Sequence, residues 1–270
     1  MEASDMELLK KLKEFQVSTR DVKCLRILLH GPIGAGKSSL INSLNNVLQN
    51  RNACVALVDT AAGKSYSFTT QFRYHSLKKD RPGTFYPFAL ADIMGLEPGQ
   101  SKGAHTDDII SILHGHIKSG YTCNPASPID KKHENYNHLP SLKDRVHCLV
   151  SVLPADNMSL ISEEVIQKMK QVRVKARDLG IPQVVIMTMV DKACPLTKAN
   201  LKKIYTSKKI KEKMQECSNR LGVPMNCIFP VKNYSEEVTN DMEMDILILM
   251  AATNIIMFAN DYVEQEFYAK

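Results

Sequence analysis

The run Gly31-Pro-Ile-Gly-Ala-Gly36-Lys37-Ser38 has the spacing GxxxxGK(S/T), and that spacing suits phosphate binding. Its glycines let successive backbone N–H groups curl around phosphate oxygens without a side-chain clash. A helix that starts at the lysine turns its positive N-terminal end to the same anion. Lys37 then reaches the β- and γ-phosphates, and Ser38 ligates Mg²⁺. The phosphate-contacting set read from the loop is Gly31, Ile33, Gly34, Ala35, Gly36, Lys37, Ser38 and Ser39.

Two further strand-end segments carry suitable groups. Phe88-Ala-Leu-Ala-Asp92-Ile-Met-Gly95 is an apolar run ending in Asp-x-x-Gly. Asp92 there can hold Mg²⁺, often through a water, and Gly95 can offer its N–H to a γ-phosphate. Val184-Val-Ile-Met-Thr188-Met-Val-Asp191-Lys192 is an apolar run ending in Thr-x-x-Asp. Guanine presents N1–H and N2–H₂ as a donor pair, which one carboxylate accepts together. Adenine has no such pair, so Asp191 is the candidate base reader. The usual form of this motif is N/T-K-x-D, and here Met189 replaces the lysine.

These groups need a scaffold of alternating strands and helices. Residues 24–30 read as a buried strand, and a helix follows from Lys37 to about Gln49. Segments 53–58, 69–77 and 85–94 read as strands, with an exposed loop at 60–67. A helix spans 106–118 with Thr106 as cap. Strands follow at 146–153, 183–190 and 227–231, and helices at 160–179, 197–205, 208–221 and 240–266. Continuous apolar strands alternating with helices imply a doubly wound α/β fold, a mostly parallel sheet covered on both faces. Ligands in such folds sit beyond the strands' C-terminal ends, where all three motifs fall. The domain reading is an N-terminal amphipathic helix within 1–22 (Leu8, Leu9, Leu12 and Phe15 on one stripe). A domain at 23–270 follows, with an irregular insertion at about 97–140.

Phosphate loop, DxxG and TxxD occur in the chain order of the GTPase branch of this fold. The segments GPIGAGKSS, Ser67-Phe-Thr-Thr-Gln-Phe72, ALADIMGLE, MVDKAC and FPVKNY together resemble the interferon-induced protein 44 family, over roughly residues 20–270. The resemblance implies a cytoplasmic protein of innate antiviral defence that binds GTP or GDP with Mg²⁺. It implies that Thr69 or Thr70 is a switch threonine closing over Mg²⁺ and the γ-phosphate. With Thr70 in that place, the catalytic residues are Lys37 and Thr70, and the metal ligands are Ser38, Thr70 and Asp92. It also places Lys232 and Asn233 on a loop cupping the base beside Thr188, Asp191 and Lys192.

Turnover is expected to be slow. The position after DxxG often holds a glutamine that orients the attacking water. Here it is Leu96, which cannot polarise water. The competing readings are a non-hydrolysing GTP-binding scaffold and an ATP-dependent phosphotransferase, against which Asp191 argues.

Other classes find little support. The seven cysteines lack CxxC spacing and read as reduced thiols of the cytoplasm. His114 and His116 are two apart and point different ways on a helix, which argues against a zinc site. The N-terminus MEASDMELLKKLKEF is charged rather than a signal peptide, and FYAK is no lipidation signal. Residues 246–259, the longest apolar stretch, fall short of the roughly 20 residues of a membrane span. The formal charge is +6, and residues 192–213 hold eight lysines. Without interleaved aromatics these suggest a solvated face rather than nucleic-acid binding. The final helix is apolar over most of its circumference and reads as buried, with self-association as the alternative use of that face.

Overall fold

The computed structural model describes residues 2–56 and 69–269. Six strands form one sheet: β1 (Leu25–His30), β2 (Arg73–Lys78), β3 (Phe85–Asp92), β4 (Cys148–Pro154), β5 (Gln183–Thr188) and β6 (Ile228–Pro230), in the order β2-β3-β1-β4-β5-β6. All neighbours are parallel except β2, which pairs antiparallel with β3. The strands at the centre are apolar throughout because both faces are covered; all seven residues of β4 are buried. From β1 the order runs to β3 on one side and to β4 on the other. That reversal opens a crevice at the strand ends, and the 31–38 loop leaves β1 into it.

Helices α1 (Glu2–Lys13), α2 (Lys37–Gln49) and α8 (Met242–Tyr268) pack on one face. On the other lie α3 (Thr106–His114), α4 (Glu163–Asp178) and α7 (Lys208–Leu221). The short α5 (Val190–Ala193) and α6 (Pro195–Ala199) follow β5. By length and composition α8 is apolar enough to cross a membrane, yet 56% of its most apolar window is buried inside the fold. Its apolar side chains face the sheet, α1 and α2.

Several boundaries differ from the sequence reading, each for a local reason. Thr106 is not the cap of α3; His105 is, its Nδ1 accepting the Asp107 N–H at 3.3 Å. The helix stops at His114 rather than 118 because Gly115 turns left-handed. Residues 53–56 are not a strand. The Asn42 side chain accepts the N–H groups of Val55 (2.9 Å) and Ala56 (2.8 Å) and donates to Ala56 O (2.8 Å), replacing a ladder. The rest of that segment and the loop at 60–67 lie outside the described residues. Leu201–Thr206 is 3-10 helix, capped by Asn200. The first helix ends at Lys13, and Phe15 beyond it packs on Phe88 with ring centroids 6.4 Å apart. The insertion is ordered by buried Asp108, which accepts from Tyr121 OH (3.0 Å) and Ile129 N–H (2.7 Å).

Candidate nucleotide-binding site

Three glycines set the loop's shape. Gly31 leaves β1 at φ +152°, and a Cβ there would meet Val152 O at 2.2 Å. Gly36 caps α2 in the left-handed region at φ +88°, and Gly34 stands exposed at φ +72°. Left-handed backbone of this kind strains any residue with a Cβ. Lys37 folds back over the loop, and its Nζ donates to Pro32 O (3.1 Å) and Gly31 O (3.3 Å). It is buried, and burial pushes its pKa down while the nearby Asp92 carboxylate pulls it up. Ala35 is buried beneath the loop; Ile33 and Ser39 are half-buried.

Ser38, Thr69 and Asp92 bring oxygens together beside Lys37. Ser38 Oγ donates to Asp92 Oδ2, Thr69 Oγ1 donates to the same oxygen at 3.4 Å, and the two hydroxyls lie 3.5 Å apart. Asp92 is buried, and its Oδ1 has no hydrogen-bond partner among the described residues. A buried carboxylate oxygen without a partner is costly. A small hard cation bound by serine, threonine and aspartate oxygens would satisfy it, so this donor set fits Mg²⁺. Of the two candidate threonines, Thr69 stands at this cluster. Thr70 is corrected out of it: its residue is exposed, and its carbonyl accepts the Cys123 N–H at 2.9 Å.

The Asp-x-x-Gly turn is pressed onto the loop. A Cβ on Gly95 would lie 2.7 Å from Ile33 Cα. Leu96 N–H donates to Gly31 O (2.9 Å), and Ile33 N–H donates to Leu96 O (3.3 Å). The Leu96 side chain is buried in the core, so this residue acts as a backbone strap. Beyond it, Ala104 N–H donates to Gly95 O at 3.1 Å. Lys168 Nζ donates to Glu97 O (2.8 Å) and Gly99 O (2.7 Å), while Glu164 Oε1 accepts the Gly99 N–H at 2.7 Å. Sequence reasoning missed this clasp. Glu164 and Lys168 lie one turn apart on α4, about 65 to 71 residues along the chain from the groups they hold, and nothing in the local pattern links them to Glu97 or Gly99.

On the far side, β5 ends in Thr188, which is fully buried. Its Oγ1 donates to Ala35 O at 2.7 Å, placing it under the phosphate loop rather than at its rim. Met189 follows at φ 57°, left-handed without being glycine, and its carbonyl accepts the N–H groups of Lys192 and Ala193. That strained turn starts α5 and carries Asp191, half-buried, in its first turn; Lys192 is exposed. Lys232 pairs with Glu237 at 2.6 Å. Burial lowers the pKa of Lys232, but the hydrogen bond and charge of Glu237, with Asp191 and Asp241, outweigh that and raise it. Glu237, opposed by its own burial, is held down to about 2 chiefly by Lys232. Asn233 Nδ2 donates to Gly36 O at 3.0 Å, and its buried Oδ1 has no partner among the described residues.

A mostly parallel sheet with this loop at its switch point is the architecture of the P-loop fold. Consistent with that, the chain superposes on a dimerization-deficient mutant of Toc33 from Arabidopsis thaliana with a TM-score of 0.51. The alignment covers 94% of this chain and 90% of that one at 15% identity, a likeness of fold. No family model matches the chain. Curated relatives are more specific: it is 35% identical over 257 residues to interferon-induced protein 44 of Homo sapiens and 35% over 260 residues to that of Mus musculus. It is 32% identical to the human interferon-induced protein 44-like. Each alignment covers 95% of this chain, which spans 56–60% of the length of those relatives. Over the aligned region the chain is similar to the interferon-induced protein 44 and 44-like proteins, which supports the resemblance read from its motifs.

Proposed function

We propose that this chain binds GTP or GDP with Mg²⁺ in the 31–38 loop, as a switch or effector of innate antiviral defence in the cytoplasm. In this reading Lys37 holds the β- and γ-phosphates, while Ser38, Thr69 and Asp92 hold the metal. Asp191 reads guanine, with Lys232 and Asn233 beside it. Bound Mg²⁺ would neutralise phosphate charge. The supporting observation is the Ser38–Thr69–Asp92 oxygen cluster beside buried Lys37, with Asp92 Oδ1 left without a partner.

Titration with guanine, xanthine and adenine nucleotides tests it. Lys37→Ala should weaken every triphosphate. Asp191→Asn should move preference from guanine towards xanthine, since the amide cannot accept both guanine donors. Unchanged preference would remove Asp191 from the site, and equal affinity of the wild type for ATP would revive a phosphotransferase. Buried Leu96 also favours little or no turnover. Single-turnover hydrolysis by the isolated chain at partner-stimulated rates would refute that part.

A further inference from the structure

Residues 192–213 hold eight lysines against one glutamate, Glu212, a net of +7. The whole chain carries +6, so the remainder sums to one charge negative. The segment folds as one outer surface. The Cys194 and Ser207 side chains meet at 3.4 Å, tying the start of α6 to the start of α7, and Thr197 Oγ1 donates to Val190 O at 2.6 Å, tying α6 to α5. Thr197, Ile204, Ser207 and Ile210 point inward and are buried, and seven of the eight lysines are exposed.

Three lysines have acidic partners: Lys202 with Glu243 (3.4 Å), Lys208 with Glu212 (3.9 Å) and Lys213 with Glu216 (2.9 Å). Lys192, Lys198, Lys203, Lys209 and Lys211 have no ion pair among the described residues. Like charges crowded without counter-charges repel, and an external anionic surface relieves that. Two large apolar side chains stand among them, Leu196 at 49% and Tyr205 at 57% exposed. The segment contains no arginine. Lysines act as point charges suited to a diffuse anionic layer, whereas paired recognition of nucleic-acid phosphates favours the guanidinium fork. One protruding leucine and one tyrosine suit the apolar–polar boundary of a lipid headgroup region better than a stacking platform for bases.

We propose that the surface formed by α6, the 3-10 turn and α7 docks peripherally on anionic lipid, with Lys198, Lys203, Lys209 and Lys211 at the headgroups and Leu196 and Tyr205 at the interface. It does not rest on the nucleotide reading. Clusters of four to eight basic residues bind such membranes at about fivefold in affinity per lysine. Attraction falls off within a Debye length, so it should weaken steeply with salt.

Vesicle co-flotation of the full chain tests this. Phosphatidylcholine vesicles containing about one-third phosphatidylserine should carry the protein at about 0.1 M salt, and neutral phosphatidylcholine vesicles should not. Lys203→Gln with Lys209→Gln and Lys211→Gln should lower the affinity about a hundredfold. Leu196→Ser with Tyr205→Ser should weaken binding while leaving its salt dependence intact. Both variants should keep the wild-type melting temperature and nucleotide affinity, since none of these side chains lines the nucleotide site. The proposal is overturned by equal flotation with neutral vesicles, by no flotation at all, or by a lysine variant that floats like the wild type. Tighter lysine-dependent binding to duplex RNA than to the anionic vesicles would also overturn it.

Discussion

Replacing Thr188 by valine separates two roles that one residue could play at the end of β5. Valine matches threonine in shape and keeps the β-branch that suits a strand. What it removes is one hydroxyl, whose proton goes to Ala35 O at 2.7 Å in a fully buried setting. Ala35 lies in the phosphate loop, so the loss falls on loop support and leaves a buried carbonyl short of a donor. Losing one partner of a buried hydrogen bond costs about 1–3 kcal/mol. A cost of about 2 kcal/mol lowers the melting temperature of a chain this size by about 4–8 °C. If about half of that also reflects lost preorganisation of the loop, the affinity for GDP, xanthosine diphosphate and ADP should fall by a common factor of about five to ten. Differential scanning calorimetry and parallel isothermal titrations read both quantities. An unchanged melting temperature with an altered guanine-to-adenine ratio would refute the loop-support role and return Thr188 to the base.

The other predictions concern the loop's supports and two buried histidines. Burial holds His30 at a pKa of about 3 and His147 at about 4, against 6.5 when unfolded. The unfolded chain therefore takes up protons first. The stability is fully present above pH 6.5 and is lost on acidification between 6.5 and about 4, at about 1.4 kcal/mol per pH unit for each residue. Urea melts should show that slope roughly halved in His147→Gln. Gly95→Ala puts a Cβ 2.7 Å from Ile33 Cα, against backbone that cannot swing aside. It should cost about 1–3 kcal/mol and speed amide exchange at Ile33 and Leu96. Lys168→Met removes the donors to Glu97 O and Gly99 O and should raise amide exchange over 97–104 without changing that at β1. Leu96→Gln buries an amide in the core rather than presenting it to a phosphate. It should destabilise the chain by about 1–3 kcal/mol in urea melts and give no gain in single-turnover hydrolysis.

The frame was legible because local sequence and tertiary setting agree over most of it. The apolar runs at 24–30, 85–94, 146–153, 183–190 and 227–231 became parallel strands, and α2 runs from Lys37 to Gln49 as its pattern implied, between left-handed Gly36 and left-handed Asn50. The phosphate loop was legible for the same reason: its glycines are required by its own backbone. What escaped depended on partners far along the chain. Nothing near Val55 indicates that Asn42 will hold its N–H. Nothing near Gly99 points to Glu164 and Lys168. Adjacent threonines at 69 and 70 are equivalent as a pattern and are separated only by which one the chain path turns towards Asp92. Leu96 was read from its place after Gly95 as a missing water-orienting group; its buried side chain and strapping backbone are consequences of packing.

A single physical test divides these residues into supports and ligand-facing groups. Thr188, Asn233 Nδ2 and the Leu96 N–H all reach the phosphate loop, yet all do so by donating to its carbonyls, at Ala35, Gly36 and Gly31 respectively. The Leu96 carbonyl accepts from Ile33. These bonds are complete within the protein, and they fix the loop in place. Besides His30 Nδ1 at the end of β1, the buried atoms near the loop that remain without a partner among the described residues include Asp92 Oδ1 and Asn233 Oδ1. Buried polar atoms of this kind are uncommon in native proteins and call for a partner. Asp92 Oδ1 and Asn233 Oδ1 lie on opposite sides of the loop, one at the Ser38–Thr69 cluster and one beside Gly36 and Thr188. An extended ligand with a cation at its phosphate end and hydrogen-bonding groups at the other would supply both.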